Sequence, residues 1–243
     1  MKNQQTLQDR ILLGILREFE KSFNIKDTES KSFEKLVNYI IFSKIDTEAF
    51  SDPATFSMID VDKNSSFGID AFGMFVNGKL IHSTEQLAEM RQSGRMEVKF
   101  IFVQTKKSTN IESGDLLKFS KAVSNFLSHT PTIPLSEELE EAKQLLEEVY
   151  QREYTKLFKG QKPSCELYFA TAGEECNDNF IKTLMDSEKN DMQNKNQDVR
   201  FDKFEHIHKE YIIDGFNEIE NTYHAIINFN NSVTCAQIDD VEQ

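Results

Sequence analysis

Apolar positions along the chain fall into two periods. Leu7, Ile11, Leu12, Ile15, Leu16, Phe19 and Phe23 recur at helical spacing and predict an opening amphipathic helix. The polar break Asp27-Thr28-Glu29-Ser30 offers caps for a second helix through Phe33, Leu36, Val37, Ile40 and Ile41. Residues 70–76 and 79–83 then flank Asn77-Gly78, the pair that best tolerates two successive positive φ angles, so an antiparallel hairpin is expected. A short helix over 84–91 leads to Met96-Glu97-Val98-Lys99-Phe100-Ile101-Phe102-Val103-Gln104-Thr105-Lys106. Its four-residue apolar core is too short for a helix and apolar on both faces, as in a central strand.

Beyond that strand, Ser113 is the expected cap of a helix with Leu116, Phe119, Val123, Phe126 and Leu127 on one stripe. After Thr130-Pro131-Thr132-Ile133-Pro134, a long helix is expected over 136–158, ending at Gly160. A buried strand over 165–171, a short helix over 179–185, a polar loop over 186–198, a strand over 199–207 and a helix over 209–220 complete the pattern, with further strands at 223–229 and 232–238. Alternating strands and helices define an α/β chain with a mixed sheet flanked by helices and at least one parallel crossover. The expected organisation is an N-terminal helix over 1–29 followed by one α/β domain over 30–243.

Candidate chemistry sits where the central strand ends. Side chains alternate along a strand, so Gln104 and Lys106 share a face. The carboxylate of Asp70, the Gln104 amide and the Thr105 carbonyl are hard oxygen donors of the kind a divalent cation takes. Lys106 beside them can orient a water and offset the charge that builds on an attacked phosphodiester. Asp60 and Asp62, in the loop before, can approach such an ion. Equally, Asp and Gln at strand ends tie down turns, acidic loops are solvated, and Lys closes strands by reaching solvent.

Phe67-Gly68-Ile69-Asp70-Ala71-Phe72, Val76-Asn77-Gly78-Lys79-Leu80-Ile81, and Phe100-Ile101-Phe102-Val103-Gln104-Thr105-Lys106-Lys107-Ser108, followed by the Leu116 helix, resemble the abortive infection phage resistance (AIPR) family. Asp followed, after a hairpin, by Gln-x-Lys looks like the PD-(D/E)xK nuclease superfamily in the variant where Gln replaces the acidic ligand. The resemblance implies a restriction-endonuclease-like core and a Mg²⁺- or Mn²⁺-dependent nuclease in bacterial antiphage defence. Asp70, Gln104 and Lys106 would be catalytic, and Asp70 and Gln104 the metal ligands. Glu34, at the edge of the second helix's apolar face, is the further ligand that the resemblance suggests, or else a solvated glutamate. Family members are usually longer, so the chain is expected to be a portion of a longer protein or a shortened member. The competing expectation is a nuclease-like sensing or assembly module that has lost catalysis.

Composition narrows the partners. No apolar run approaches the ~20 residues of a membrane span, and Met1-Lys2-Asn3-Gln4-Gln5 starts no secretory segment, so a cytoplasmic protein is expected. Cys165, Cys176 and Cys235 are widely spaced and signal neither a disulfide framework nor a zinc site. The net charge of −13 opposes whole-surface attraction to nucleic acid. Lys99, Lys106, Lys107, Lys118 and Lys121 are nonetheless expected to group near the site, with Lys107, Lys118 and Lys121 as candidate phosphate contacts, DNA ahead of RNA, and homo-oligomerisation open. His206-x-His208 is a weak candidate metal pair. Arg200 and His206 loosely resemble the Arg-His motif of helical toxin ribonucleases, which requires a helix there.

Overall fold

The apolar run around Phe100 becomes the middle strand of a five-stranded sheet in a computed structural model that describes residues 7–62 and 68–221. In chain order the elements are α1 (Arg10–Ser22), α2 (Glu29–Ser43), the single turn α3 (Thr55–Met58), β1 (Ala71–Val76), β2 (Lys79–Ile81) and α4 (Thr84–Met90). They continue with β3 (Val98–Lys106), α5 (Ser113–Leu127), α6 (Glu137–Val149), the short α7 (Arg152–Thr155), β4 (Ser164–Thr171), α8 (Asn179–Lys195), β5 (Arg200–Ile207) and α9 over 209–221. The strand order is β2-β1-β3-β4-β5. β1 runs antiparallel to β2 and β3, whereas β3, β4 and β5 are mutually parallel. The molecule is thus α/β with a mixed sheet flanked by helices, and the described residues form two parallel crossovers, β3 to β4 by way of α5, α6 and α7, and β4 to β5 by way of α8.

The period of two in the strands divides the core. Phe72, Phe100, Phe102, Leu167 and Phe169 face α5, α6 and α8, while Phe75, Ile101, Val103, Tyr168 and Ala170 face α1, α2 and α9. Phe100, Phe102, Phe119 and Phe126 have no exposed surface, and each such side chain contributes about 1.5–3 kcal/mol by leaving water. The hairpin turns at Asn77 (φ 52°) and Gly78 (φ 80°) as the pair requires. Asp9, Thr28, Ser83, Ser136 and Asp178 accept from the first free N–H groups of α1, α2, α4, α6 and α8.

Four local expectations are corrected. Ser113 lies inside α5; Glu112 holds the cap position without a side-chain bond. The helix expected over 136–158 stops at Val149, because Gln151 turns extended (ψ 149°) before the chain re-enters helix as α7, which carries Tyr154 into the core, and a 3-10 turn over Lys156–Phe158, which carries Phe158 there. The loop expected over 186–198 is largely helix: α8 runs to Lys195, with Met192 buried and the Gln193 side chain bonded to Val199 O and Phe201 N, each at 2.9 Å. Ile11 is 65% exposed, so the apolar stripe of α1 is narrower than its spacing suggested. Phe67, the strands expected at 223–229 and 232–238, and Cys235 lie outside the described residues. Among the described residues no helix is long and apolar enough to cross a membrane.

Gly73 sets how closely α2 approaches the sheet, since a Cβ there would lie 2.8 Å from the Phe42 ring. Gly73→Ala is expected to destabilise the protein by about 1–3 kcal/mol, and Phe42→Leu to recover part of that loss. Denaturant unfolding of the single and double variants checks both effects.

Candidate functional site

β3 outruns β1. The ladder begins at Ala71 opposite Val103, yet β3 continues through Gln104, Thr105 and Lys106. Where β1 backbone would have continued, the Asp70 side chain takes its place. Its Oδ2 accepts from the Thr105 N–H at 2.6 Å and from Gln104 Nε2 at 2.8 Å, and the Asp70 N–H donates to Val103 O at 2.9 Å. The N–H and C=O of a strand residue point to the same edge, so the Thr105 carbonyl faces this side too. Asp70, Gln104 and Thr105 are all buried, and Lys106 is half-buried at the strand's end.

Further acids arrive along the other edge of β1. Ile59 O accepts from Phe72 N–H and Val61 N–H donates to Asp70 O at 3.1 Å, which brings Asp60 and Asp62 beside the start of β1. From α2, the Lys31 ammonium bridges Glu34 at 2.8 Å and Asp60 at 3.0 Å. Asp62 Oδ1 is shut off from solvent and has no hydrogen-bond partner among the described residues. On the opposite face, Gly68 (φ +109°) lies against α5, where a Cβ would stand 3.2 Å from Lys118 Cγ.

Charge is therefore crowded. Burial, then the Glu34 and Asp62 carboxylates, push Asp70 up to about 8, against the pull of the Thr105 N–H and Lys106. Burial also pushes Asp62 up to about 6; Lys31 and Lys118 draw it down, and Glu34 and Asp60 raise it. Burial would lower Lys31, but Glu34 and Asp60 override it and hold the ammonium charged.

The candidate residues fare differently. Lys106 is close enough to act on Asp70. Glu34 also lies within electrostatic reach of Asp70, although Lys31 already engages it. Lys107 is committed to Glu29 at 3.1 Å, with 16% of its side chain exposed. Lys118 is exposed and acts on Asp62. Lys121, one turn further along α5, is exposed on a cavity of about 930 Å³ between α5, α6 and α8. The expected grouping of five lysines is corrected: Lys99 sits seven residues back along β3, roughly 23 Å from Lys106 at strand rise, and is paired with Glu166 at 2.7 Å. His206 bonds Thr171 Oγ1 at 2.8 Å, accepts from Cys176 N–H at 3.4 Å, and is held down to about 4 by burial and by His208, which itself lies 3.0 Å from Glu210. Arg200 and His206 stand on a strand, so the helical toxin motif does not form.

Sequence reading did not find Lys31 as the bridging cation, and nothing local in the sequence marks it. Among the described residues no group of three or more His, Cys, Asp or Glu is arranged to hold a metal ion. The donors of interest include an amide and a backbone carbonyl. Asp70, Gln104 Oε1 and the Thr105 carbonyl suit a hard cation in kind, and the excess of acid around Asp70 is what such a cation would relieve. Gln104 presents its NH₂ to Asp70, so its amide would have to turn over to offer oxygen to the same ion. Compared with protein-family models, curated proteins and solved structures, the chain matches none.

An unfolded aspartate titrates near 3.9, well below the buried Asp70. Between the two values the unfolded chain gives up a proton that the folded chain keeps, so Asp70's contribution to stability falls as pH rises from about 4 to about 8 and is level above. Without divalent cations, Asp70→Asn is expected to be more stable than the parent at pH 8 by on the order of a few kcal/mol, with the gap closing near pH 4. Denaturant unfolding at both pH values checks this; a gap independent of pH contradicts it.

Proposed function

We propose that the chain is a divalent-cation-dependent phosphodiester hydrolase: a nuclease module with a restriction-endonuclease-like core, acting in bacterial antiphage defence. The observation that carries this reading is the buried Asp70 carboxylate bonded to both the Gln104 amide and the Thr105 N–H, with Lys106 as the next side chain on that face. The antiparallel β1–β3 pair followed by the α5 crossover to β4 supports the proposed core. The defence role rests on the family resemblance alone.

Asp70, Gln104 and the Thr105 carbonyl would hold Mg²⁺ or Mn²⁺, with Glu34 behind them. When bound, the cation supplies Lewis-acid polarisation and neutralises phosphate charge. Asp70 is kept in register by two donors, so its free oxygen face has one orientation. Lys106 carries positive charge to the strand end, where the attacked phosphate gains negative charge. Lys118 and Lys121 lie along the exposed face of α5 and offer phosphate contacts leading away from the centre. Lys106 would orient the attacking water; as its oxygen bonds to phosphorus the P–O bond to the leaving oxygen breaks, the water's proton passing to solvent and the leaving oxygen taking one up from solvent.

A second reading, a nuclease-like module without catalysis, is favoured by the Gln104 amide facing Asp70 with its NH₂ and by the overall charge of −13. The two separate cleanly. Purified chain incubated with Mg²⁺ or Mn²⁺ and DNA, or RNA, is expected to cut, and Asp70→Ala and Lys106→Ala to lower the rate by roughly 10²-fold or more. Equal cleavage by all three removes the catalytic assignment. Absence of cation binding in calorimetry, with cleavage absent as well, favours the inactive module.

A further inference from the structure

We infer that Asp62 is the second carboxylate donor of the cation centre, supplying from the 59–62 segment the negative charge that Gln104 does not bring, while Glu34 stays paired with Lys31. This rests on the nuclease reading and deepens it. Four acids surround the start of β1, and they are not equivalent. Glu34 and Asp60 share the Lys31 ammonium at 2.8 and 3.0 Å, so both already have a counter-cation. Asp70 Oδ2 is fixed by two donors. Of the four, only Asp62 has an oxygen both closed to solvent and without a hydrogen-bond partner among the described residues. An unpartnered buried carboxylate oxygen is costly in the folded protein, and a bound cation removes that cost.

Its position is not a matter of loop chance. Val61 N–H donates to Asp70 O, and Asp60 bridges to Ala71, so the backbone ladder carries Asp62 to the same strand end as Asp70. Gln104 is neutral, so Asp70 alone gives the centre one negative charge; Asp62 makes it two. Two carboxylates, one amide oxygen and one carbonyl form an all-oxygen set that matches a small hard divalent ion in charge and in donor type. Lys118 and Lys31, the cations acting on Asp62, would then balance it in the absence of the ion.

Calorimetric titration of the whole chain with MnCl₂ or MgCl₂, beside thermal melts with and without the salt, tests this in the parent and in Asp62→Asn, Glu34→Gln and Asp70→Asn. Asp62→Asn is expected to weaken cation binding by roughly ten-fold or more and to abolish most of the cation-induced rise in melting temperature, while melting no lower than the parent in cation-free buffer. Glu34→Gln is expected to weaken binding less than Asp62→Asn. Binding by Asp62→Asn within about two-fold of the parent, with Asp70→Asn impaired, overturns the Asp62 assignment and leaves the nuclease reading standing. A lower cation-free melt with unchanged binding assigns Asp62 a structural role instead. No binding by the parent overturns both.

Discussion

One carboxylate stands in for missing backbone. β1 stops before β3 does, and the Thr105 N–H that would lose its ladder partner is satisfied by Asp70 Oδ2 at 2.6 Å. An unmet N–H buried in a sheet costs about as much as a lost hydrogen bond, so the fold needs an acceptor at this point. Using a carboxylate for it places an acid in a buried strand end, where burial and neighbouring acids raise it to about 8. The same contact that completes the sheet thus creates a site hungry for positive charge.

The rest of the molecule delivers groups to that point from both faces. α2 lies against the sheet through Phe42 over Gly73 and brings Lys31 and Glu34; α5 lies on the opposite face, with Lys118 over Gly68. Two aromatic and aliphatic layers hold these helices at fixed height, which keeps a loop-flanked strand end rigid enough to present side chains in register. Acid also reaches the 59–62 segment from α6, whose first turn carries Glu137, Glu138 and Glu140 and whose cap Ser136 donates to Val61 O at 3.4 Å.

What the sequence disclosed was local. Asn77-Gly78 marks its own turn, and the run from Phe100 to Val103 marks its own centrality, because both signals rest on neighbouring residues. The alternation that put Gln104 and Lys106 on one face follows from the same strand. Pairings over long separations were not legible: Lys107 is neutralised by Glu29 from 78 residues away, and Lys99 is drawn to Glu166. The break after Val149 and the extension of α8 to Lys195 were hidden because tertiary contacts of Tyr154, Phe158, Met192 and Gln193 decide them, whereas propensity alone describes a longer and a shorter helix. Asp60 and Asp62 read alike, as loop acids that could approach a cation or simply be solvated, and what separates Asp62 is a buried Oδ1 without a hydrogen-bond partner among the described residues.

The most direct measurement is the titration of the Asp70 side-chain carboxyl by ¹³C NMR, in cation-free buffer and again with saturating Mg²⁺. The expected midpoint without the cation is near 8, moving down sharply when Mg²⁺ is present. A midpoint in the ordinary aspartate range, unmoved by Mg²⁺, would contradict both the acid-crowded burial of Asp70 beside the end of β3 and the cation role proposed for it.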